Sequence, residues 1–243
     1  MAQNVYDEAE FFSGYSQLPR SIHGLDGAAE WPTLRQLVPP VAGRRVVDLG
    51  CGFGWFSRWA ADEGAVDVLG VDLSANMLDR ARRDTAQPQV RYERHDLEQL
   101  ALSPASFDLA YSSLTFHYVV DLAGVFRAVR SALVPGSAFV FSVEHPIFMA
   151  PTHAAFVDGP EGTPVWPLDG YLDEGPRVTD WLAPGVVKQH RTIGTYLDLL
   201  REAGFALDRL IEWGPSDEQV AATPEWRVEQ ERPPFLLVAA HLP

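Results

Sequence analysis

Residues 45–54 read Arg-Val-Val-Asp-Leu-Gly-Cys-Gly-Phe-Gly, a short apolar run that carries a carboxylate near its end and passes straight into a turn with glycine at every second position. Few folds accommodate such a segment. A strand of continuous apolar residues is buried on both faces, which calls for a mostly parallel sheet with helices above and below it. Glycine at 50, 52 and 54 permits a sharp turn and lets a ligand approach the backbone where a Cβ would collide. The turn stands at the carboxyl end of the first strand, where open α/β sheets bind ligands.

The pattern that follows agrees. A helix is predicted near Trp55 to Glu63, then a strand over Val66 to Val71 that ends in Asp72. Ser74 caps a helix running through Met77, Leu78 and Ala81. Val90 to His95 and Phe107 to Ser112 read as the third and fourth strands. Leu122, Val125, Phe126, Val129 and Leu133 form one apolar stripe, stopped by Val134-Pro135-Gly136, and Ala138 to Val143 is the fifth strand. Ile193, Tyr196, Leu197 and Leu200 line a late helix ended by Gly204. Phe205 to Glu212 and Phe235 to His241 then read as an antiparallel closing pair at one sheet edge. Between Pro146 and Gln189 the chain is irregular and rich in Pro and Gly, as in a functional lid or a disordered linker.

Composition narrows the function. With 19 Lys+Arg against 33 Asp+Glu the chain carries a net charge of −14, which repels duplex nucleic acid and anionic membranes. The single cysteine, Cys51, excludes an intrachain disulfide or a Cys-rich zinc site. The acidic start lacks the apolar core of a signal peptide, and no apolar run approaches a membrane span, so a cytoplasmic location is expected.

The turn itself is G-x-G-x-G, with Trp55 where a dinucleotide fingerprint wants its third glycine. No Gly-Lys-Ser/Thr follows to hold a triphosphate. Asp72, at the end of strand two, can accept both hydroxyls of a ribose. Asp96, after strand three, can take an exocyclic amine of adenine, with Leu97 against the ring. Carboxylates at 48, 72 and 96 suit a cationic adenosine ligand better than a pyrophosphate. Cys51, a small residue between two glycines, reads as a packing choice and not a nucleophile.

Val47 to Gly54, Val71-Asp72-Leu73-Ser74-Ala75-Asn76-Met77-Leu78 and Phe107 to Ser112 resemble, in order and spacing, the class I S-adenosylmethionine-dependent methyltransferases of small molecules (the type 11-like group). The likeness covers roughly residues 40–145. It implies an α/β, Rossmann-like fold: a seven-stranded, mostly parallel sheet with an antiparallel last strand and helices on both faces. It also implies S-adenosyl-L-methionine as cofactor and S-adenosyl-L-homocysteine as product. By the same resemblance Asp48 approaches the methionine amino group, and Gly50, Cys51, Gly52 and Gly54 form the cofactor turn. Asp72 binds the ribose, Leu73 and Met77 flank the adenine, Asp96 and Leu97 contact it, and Ser112 lies beneath the methionyl portion. One methyltransferase domain is expected over 1–243: an N-terminal cover (1–40), a cofactor-binding core (41–145), a substrate lid (146–189) and a C-terminal helix with closing strands (190–243).

Three histidines near strand tips, His117, His145 and His190, are candidates to deprotonate or hold an acceptor, with His117 best placed after strand four. Their spacing does not suggest a metal site. In similar methyltransferases the segment before the first strand folds across the cofactor, which makes Tyr15 and Arg20 lid contacts. Trp166, Tyr171 and Trp181 are candidates for an aromatic wall, with acids at 158, 161, 169, 173, 174 and 180 nearby. The expected partner is a small-molecule acceptor methylated on oxygen or nitrogen, with the protein a monomer or homodimer. A non-catalytic cofactor-binding subunit and a nicotinamide-dependent oxidoreductase are the competing readings.

Overall fold

The computed structural model describes residues 3–243; residues 1 and 2 of the expected N-terminal cover lie outside them. Three short helices, α1 (Ala9–Ser16), α2 (Pro19–Ile22) and α3 (Trp31–Leu37), precede the sheet. Then come β1 (Arg45–Leu49), α4 (Trp55–Asp62), β2 (Asp67–Asp72), α5 (Ala75–Asp84), β3 (Val90–Arg94), β4 (Phe107–Ser113), α6 (Leu122–Ala132) and β5 (Leu133–Glu144). The insertion holds α7 (Pro146–Met149), the two-residue strands β6 (Val157–Asp158) and β7 (Pro164–Val165), and a hairpin of β8 (Gly175–Thr179) and β9 (Val186–His190). The chain closes with α8 (Ile193–Glu202), β10 (Ala206–Trp213), α9 (Asp217–Ala222) and β11 (Phe235–His241).

Seven strands form one sheet in the order β10-β11-β5-β4-β1-β2-β3. The pairs β5–β4, β4–β1, β1–β2 and β2–β3 are parallel, whereas β11 runs antiparallel to both β5 and β10. This is the expected Rossmann-like sheet with its reversed last strand. From β1 the chain builds outward to β2 and β3, then returns to add β4 on the other side. That reversal opens a crevice above the carboxyl ends of β1 and β4.

Burial follows the two-residue period of a strand. Val47, Leu49, Leu69 and Val71 pack with α6 and α8 on one face; Val46, Val68, Leu109 and Tyr111 pack with Trp31, Leu34 and Phe56 on the other. The predicted stripe of α6 is buried at Leu122, Val125, Phe126 and Val129, each side chain contributing about 1.5–3 kcal/mol against exposure.

Two segments differ from the expectation. The fifth strand begins at Leu133, which pairs with Phe107, and its register against β4 shifts over residues 134–137 before Ala138 pairs with Leu109. Pro135 has no N–H to donate and Gly136 takes φ +80°, so the breaker interrupts the strand instead of preceding it. The insertion is also more regular than a loop: β8 and β9 pair antiparallel from Gly175–His190 to Thr179–Val186. Glycines and prolines at its turns hid the period-two run of buried Val186, Lys188 and His190. No helix among the described residues is long and apolar enough to cross a membrane.

Candidate functional site

A cavity of about 1050 Å³ lies over the carboxyl ends of the parallel strands. Of the expected cofactor residues, Tyr15, Arg20, Gly50, Gly52, Asp72, Leu73, Met77, Asp96 and Leu97 line it, together with His117. The topology brings these together because they follow, or pack over, the neighbouring ends of β1, β2, β3 and β4.

At the floor, Gly52 takes φ +53°, and a Cβ there would meet no protein atom within 4 Å; it would project into open space instead. Gly54, at φ +73°, precedes α4, and a Cβ on it would collide with the Tyr92 ring. The turn is held by Asp72, whose Oδ2 accepts the Gly52 N–H at 2.9 Å while Oδ1 accepts the Ser74 N–H at 2.9 Å. Burial raises the pKa of Asp72 against these hydrogen bonds.

After β3, Asp96 Oδ1 accepts the Glu98 N–H at 3.0 Å, but Oδ2 is buried with no hydrogen-bond partner among the described residues. An unpaired buried acceptor is costly, on the order of 1–3 kcal/mol, so this oxygen is suited to an incoming N–H donor. Together with the open floor at Gly52, it fits an adenosyl ligand.

Asp48 lies beneath the turn, lining a smaller cavity of about 100 Å³ that shares Tyr15, Arg20, Gly50 and Gly52 with the larger one. Its carboxylate accepts the Ser57 hydroxyl at 2.7 Å, and burial pushes its pKa up to about 7. Cys51 borders this smaller space, and burial holds its thiol well above the usual range, as an inert packing residue requires. Arg20 pairs with the buried Glu30 at 3.1 Å, fixing its guanidinium at the same end.

The roof comes from two distant parts of the chain. Asp7 accepts from Ser74 Oγ at 2.6 Å and from the Asn76 N–H at 3.1 Å, pinning the N-terminal segment to the start of α5. Gln3 Nε2 donates to the Gly185 carbonyl and its Oε1 accepts the Val187 N–H, joining that segment to the β8–β9 hairpin. Phe11 and Tyr15 meet Trp181 edge-on, with centroids 5.6 and 6.3 Å apart. The expected N-terminal cover and lid are therefore one packed layer.

The cavity is also walled by His117, Tyr118, Glu144, Trp181 and Lys188. Lys188, on β9 and 2% exposed, places Nζ 2.5 Å from Glu144 Oε1 and 4.8 Å from the Trp181 ring centroid. Glu144 Oε2 is buried with no hydrogen-bond partner among the described residues. Sequence reasoning missed both residues. The one available signal was Glu144 at the tip of strand five, and the Lys188 partnership depends on a hairpin that was not predicted.

His117, expected to deprotonate or hold an acceptor, lines the cavity with one ring nitrogen engaged. Its Nδ1 accepts the Glu144 backbone N–H at 3.3 Å, so the neutral ring carries its proton on Nε2 and its lone pair is already engaged. Burial, with the charges of Lys188 and Arg191, pushes its pKa well below the ordinary value, so it stays neutral. His117 is a hydrogen-bond donor here.

Four other expected residues, Gly54, Ser112, His145 and His190, line neither cavity. Ser112 is fully buried and donates to the Leu49 carbonyl at 2.7 Å, tying β4 to β1; the next residue, Ser113, reaches the cavity instead. His145 caps α7 by accepting the Ile147 N–H at 3.0 Å, and its Nε2 lies 3.0 Å from Glu212; burial lowers its pKa to about 4. His190 has Nε2 2.9 Å from the Tyr171 carbonyl, within the insertion. Of the three candidate aromatics only Trp181 faces the cavity; Trp166 stacks on Phe148 under Arg232, and Tyr171 packs on His190.

Comparisons with known proteins converge on one family. The model described as "Methyltransferase domain" matches residues 47–141. The crystal structure of an S-adenosylmethionine dependent methyltransferase from Mesorhizobium loti is 57% identical, covers 90% of this chain and 100% of that one, and superposes with a TM-score of 0.87. An uncharacterized Haemophilus influenzae protein is 30% identical over 98% of this chain and 96% of its own length. A malonyl-[acyl-carrier protein] O-methyltransferase of Enterobacter lignolyticus is 38% identical, over only 40% of this chain and 38% of that protein.

Proposed function

This chain belongs to the S-adenosylmethionine-dependent methyltransferases, and we propose that it methylates an oxygen or nitrogen of a small-molecule acceptor held in the same cavity as the cofactor. We read the whole chain as one domain in which the N-terminal segment and the β8–β9 hairpin together close over both ligands.

One observation carries this reading. The cavity has an unpartnered buried carboxylate oxygen at Asp96 and another at Glu144. Strand order puts these residues after β3 and β5, strands that lie four spacings, roughly 19 Å, apart in the sheet. That span leaves room for an adenosyl group at one end and an acceptor at the other.

When bound, S-adenosylmethionine supplies an electrophilic sulfonium methyl. The protein's task is to place an acceptor lone pair behind that carbon and keep water away. Asp72 and the glycine turn hold the ribose, Asp96 takes the adenine amine, and Asp48 with Arg20 binds the amino-acid end. Tyr6, Tyr15, Tyr118 and Trp181 cover the reacting region. Alignment of this kind supplies several kcal/mol of barrier reduction, up to about 7–11 where geometry is near ideal.

Calorimetry tests the reading: S-adenosylmethionine and S-adenosylhomocysteine bind, and NAD does not. Tight NAD binding without S-adenosylmethionine binding overturns it. Turnover against a metabolite panel, followed by S-adenosylhomocysteine release, then identifies the acceptor.

A further inference from the structure

The outer half of the cavity presents a hydrogen-bond pattern of its own. Lys188 occupies Glu144 Oε1 and leaves Oε2 as a buried acceptor without a donor. Beside it, His117 gives its Nδ1 lone pair to the Glu144 N–H, so its Nε2 carries a proton. An acceptor and a donor thus come from adjoining residues of one cavity, beside Tyr118 and Trp181.

We propose that Glu144 is the residue that receives the acceptor's proton, and that the acceptor group is a neutral hydroxyl. This rests on the methyltransferase reading above. A hydroxyl oxygen donates one hydrogen bond and accepts another, and so satisfies Glu144 Oε2 and the His117 N–H together. An ammonium has no lone pair to offer the His117 N–H or an electrophile. A carboxylate has no proton for Glu144 and is repelled by it. As the hydroxyl oxygen bonds to the transferred methyl, its O–H bond breaks and the proton passes to Glu144 Oε2; the electron pair of the broken carbon–sulfur bond stays on sulfur. Lys188 positions Glu144, holding its other oxygen so that Oε2 faces the acceptor.

The test uses the protein saturated with S-adenosylhomocysteine and two probes of similar size, phenol and benzylamine, followed by calorimetry at neutral pH. Phenol is expected to bind at least about tenfold more tightly than benzylamine, whose ammonium leaves the buried His117 N–H without an acceptor. Glu144→Gln is expected to weaken phenol about tenfold and leave S-adenosylhomocysteine affinity unchanged. Nitrogen-15 spectra of the unmodified protein should report His117 as the neutral ring protonated on Nε2, a readout independent of any variant's folding. Phenol binding that is undetectable or no tighter than that of benzylamine overturns the proposal, as does a His117 ring protonated on Nδ1. Phenol affinity undiminished in Glu144→Gln removes Glu144 from the role. Failure of S-adenosylhomocysteine itself to bind refutes the cofactor reading instead.

Discussion

Asp72 Oδ2 accepts the backbone N–H of Gly52 at 2.9 Å, so the carboxylate at the end of β2 holds the glycine turn at the end of β1. The two are neighbours because β1 and β2 pair in parallel, with Leu49 opposite Val71. One side chain therefore shapes the cofactor floor and lines it.

Asp72→Ala should weaken S-adenosylhomocysteine binding by tenfold or more, since it removes a ribose acceptor and frees the Gly52 N–H, each worth about 1–3 kcal/mol. Asp72→Asn keeps one acceptor oxygen and should fall between. Unchanged affinity in calorimetry of the alanine variant would refute the ribose assignment.

Asp48 makes stability without ligand fall with rising pH. Burial raises its pKa to about 7 from the ordinary aspartate value of 3.8. The folded state therefore binds more protons than the unfolded chain between these values, and stability present below about pH 4 is lost as pH climbs to about 7. Asp48→Asn should melt like the unmodified protein at pH 4 and higher than it at pH 8, by up to about 4 kcal/mol. The same variant should bind S-adenosylhomocysteine less tightly. Equal melting at both pH values would show that Asp48 titrates normally.

The free oxygen of Asp96 predicts discrimination at the purine. S-inosylhomocysteine has a ring carbonyl where S-adenosylhomocysteine has an amine, and a carbonyl cannot donate to Oδ2. The unmodified protein should prefer the adenosyl compound by about tenfold or more, and Asp96→Ala should lose the preference. Competition binding of the two nucleosides measures this directly.

Asp7 caps α5 from outside the helix, and its loss should loosen the roof. Partial burial raises its pKa, but hydrogen bonds from Ser74, Asn76, Asn4 and Ala75 outweigh this and hold it below the ordinary aspartate value of 3.8. Its contribution is therefore present at neutral pH and lost only on acidification below about pH 4. Asp7→Ala should cost about 1 kcal/mol, as for a lost cap. It should also speed both S-adenosylhomocysteine release and proteolysis within residues 3–16. Protection unchanged from the parent protein would show that Gln3 and the aromatic contacts suffice to hold the segment.

Local pattern was enough to reveal the sheet, the glycine turn and the carboxylates at 48, 72 and 96. Their signals are continuous apolar runs, glycines at fixed spacing and acids at strand ends, all readable within about ten residues. Ser112 and His145 lie away from the cavity lining, because position near a strand tip does not tell which way a side chain points. Ser112 turns inward to the Leu49 carbonyl, and the neighbouring Ser113 faces the cavity.

By itself, then, the sequence determined the α/β architecture and the half of the cavity proposed for the cofactor, since each part there is a strand end with its own turn. Only the tertiary structure decided the half proposed for the acceptor. Lys188 meets Glu144 across 44 residues, Gln3 meets Gly185 across 182, and the Glu144 N–H selects the His117 tautomer. Contacts between segments so far apart leave no periodic trace in the chain. They arise only when the sheet brings β5, the β8–β9 hairpin and the N-terminus to one place.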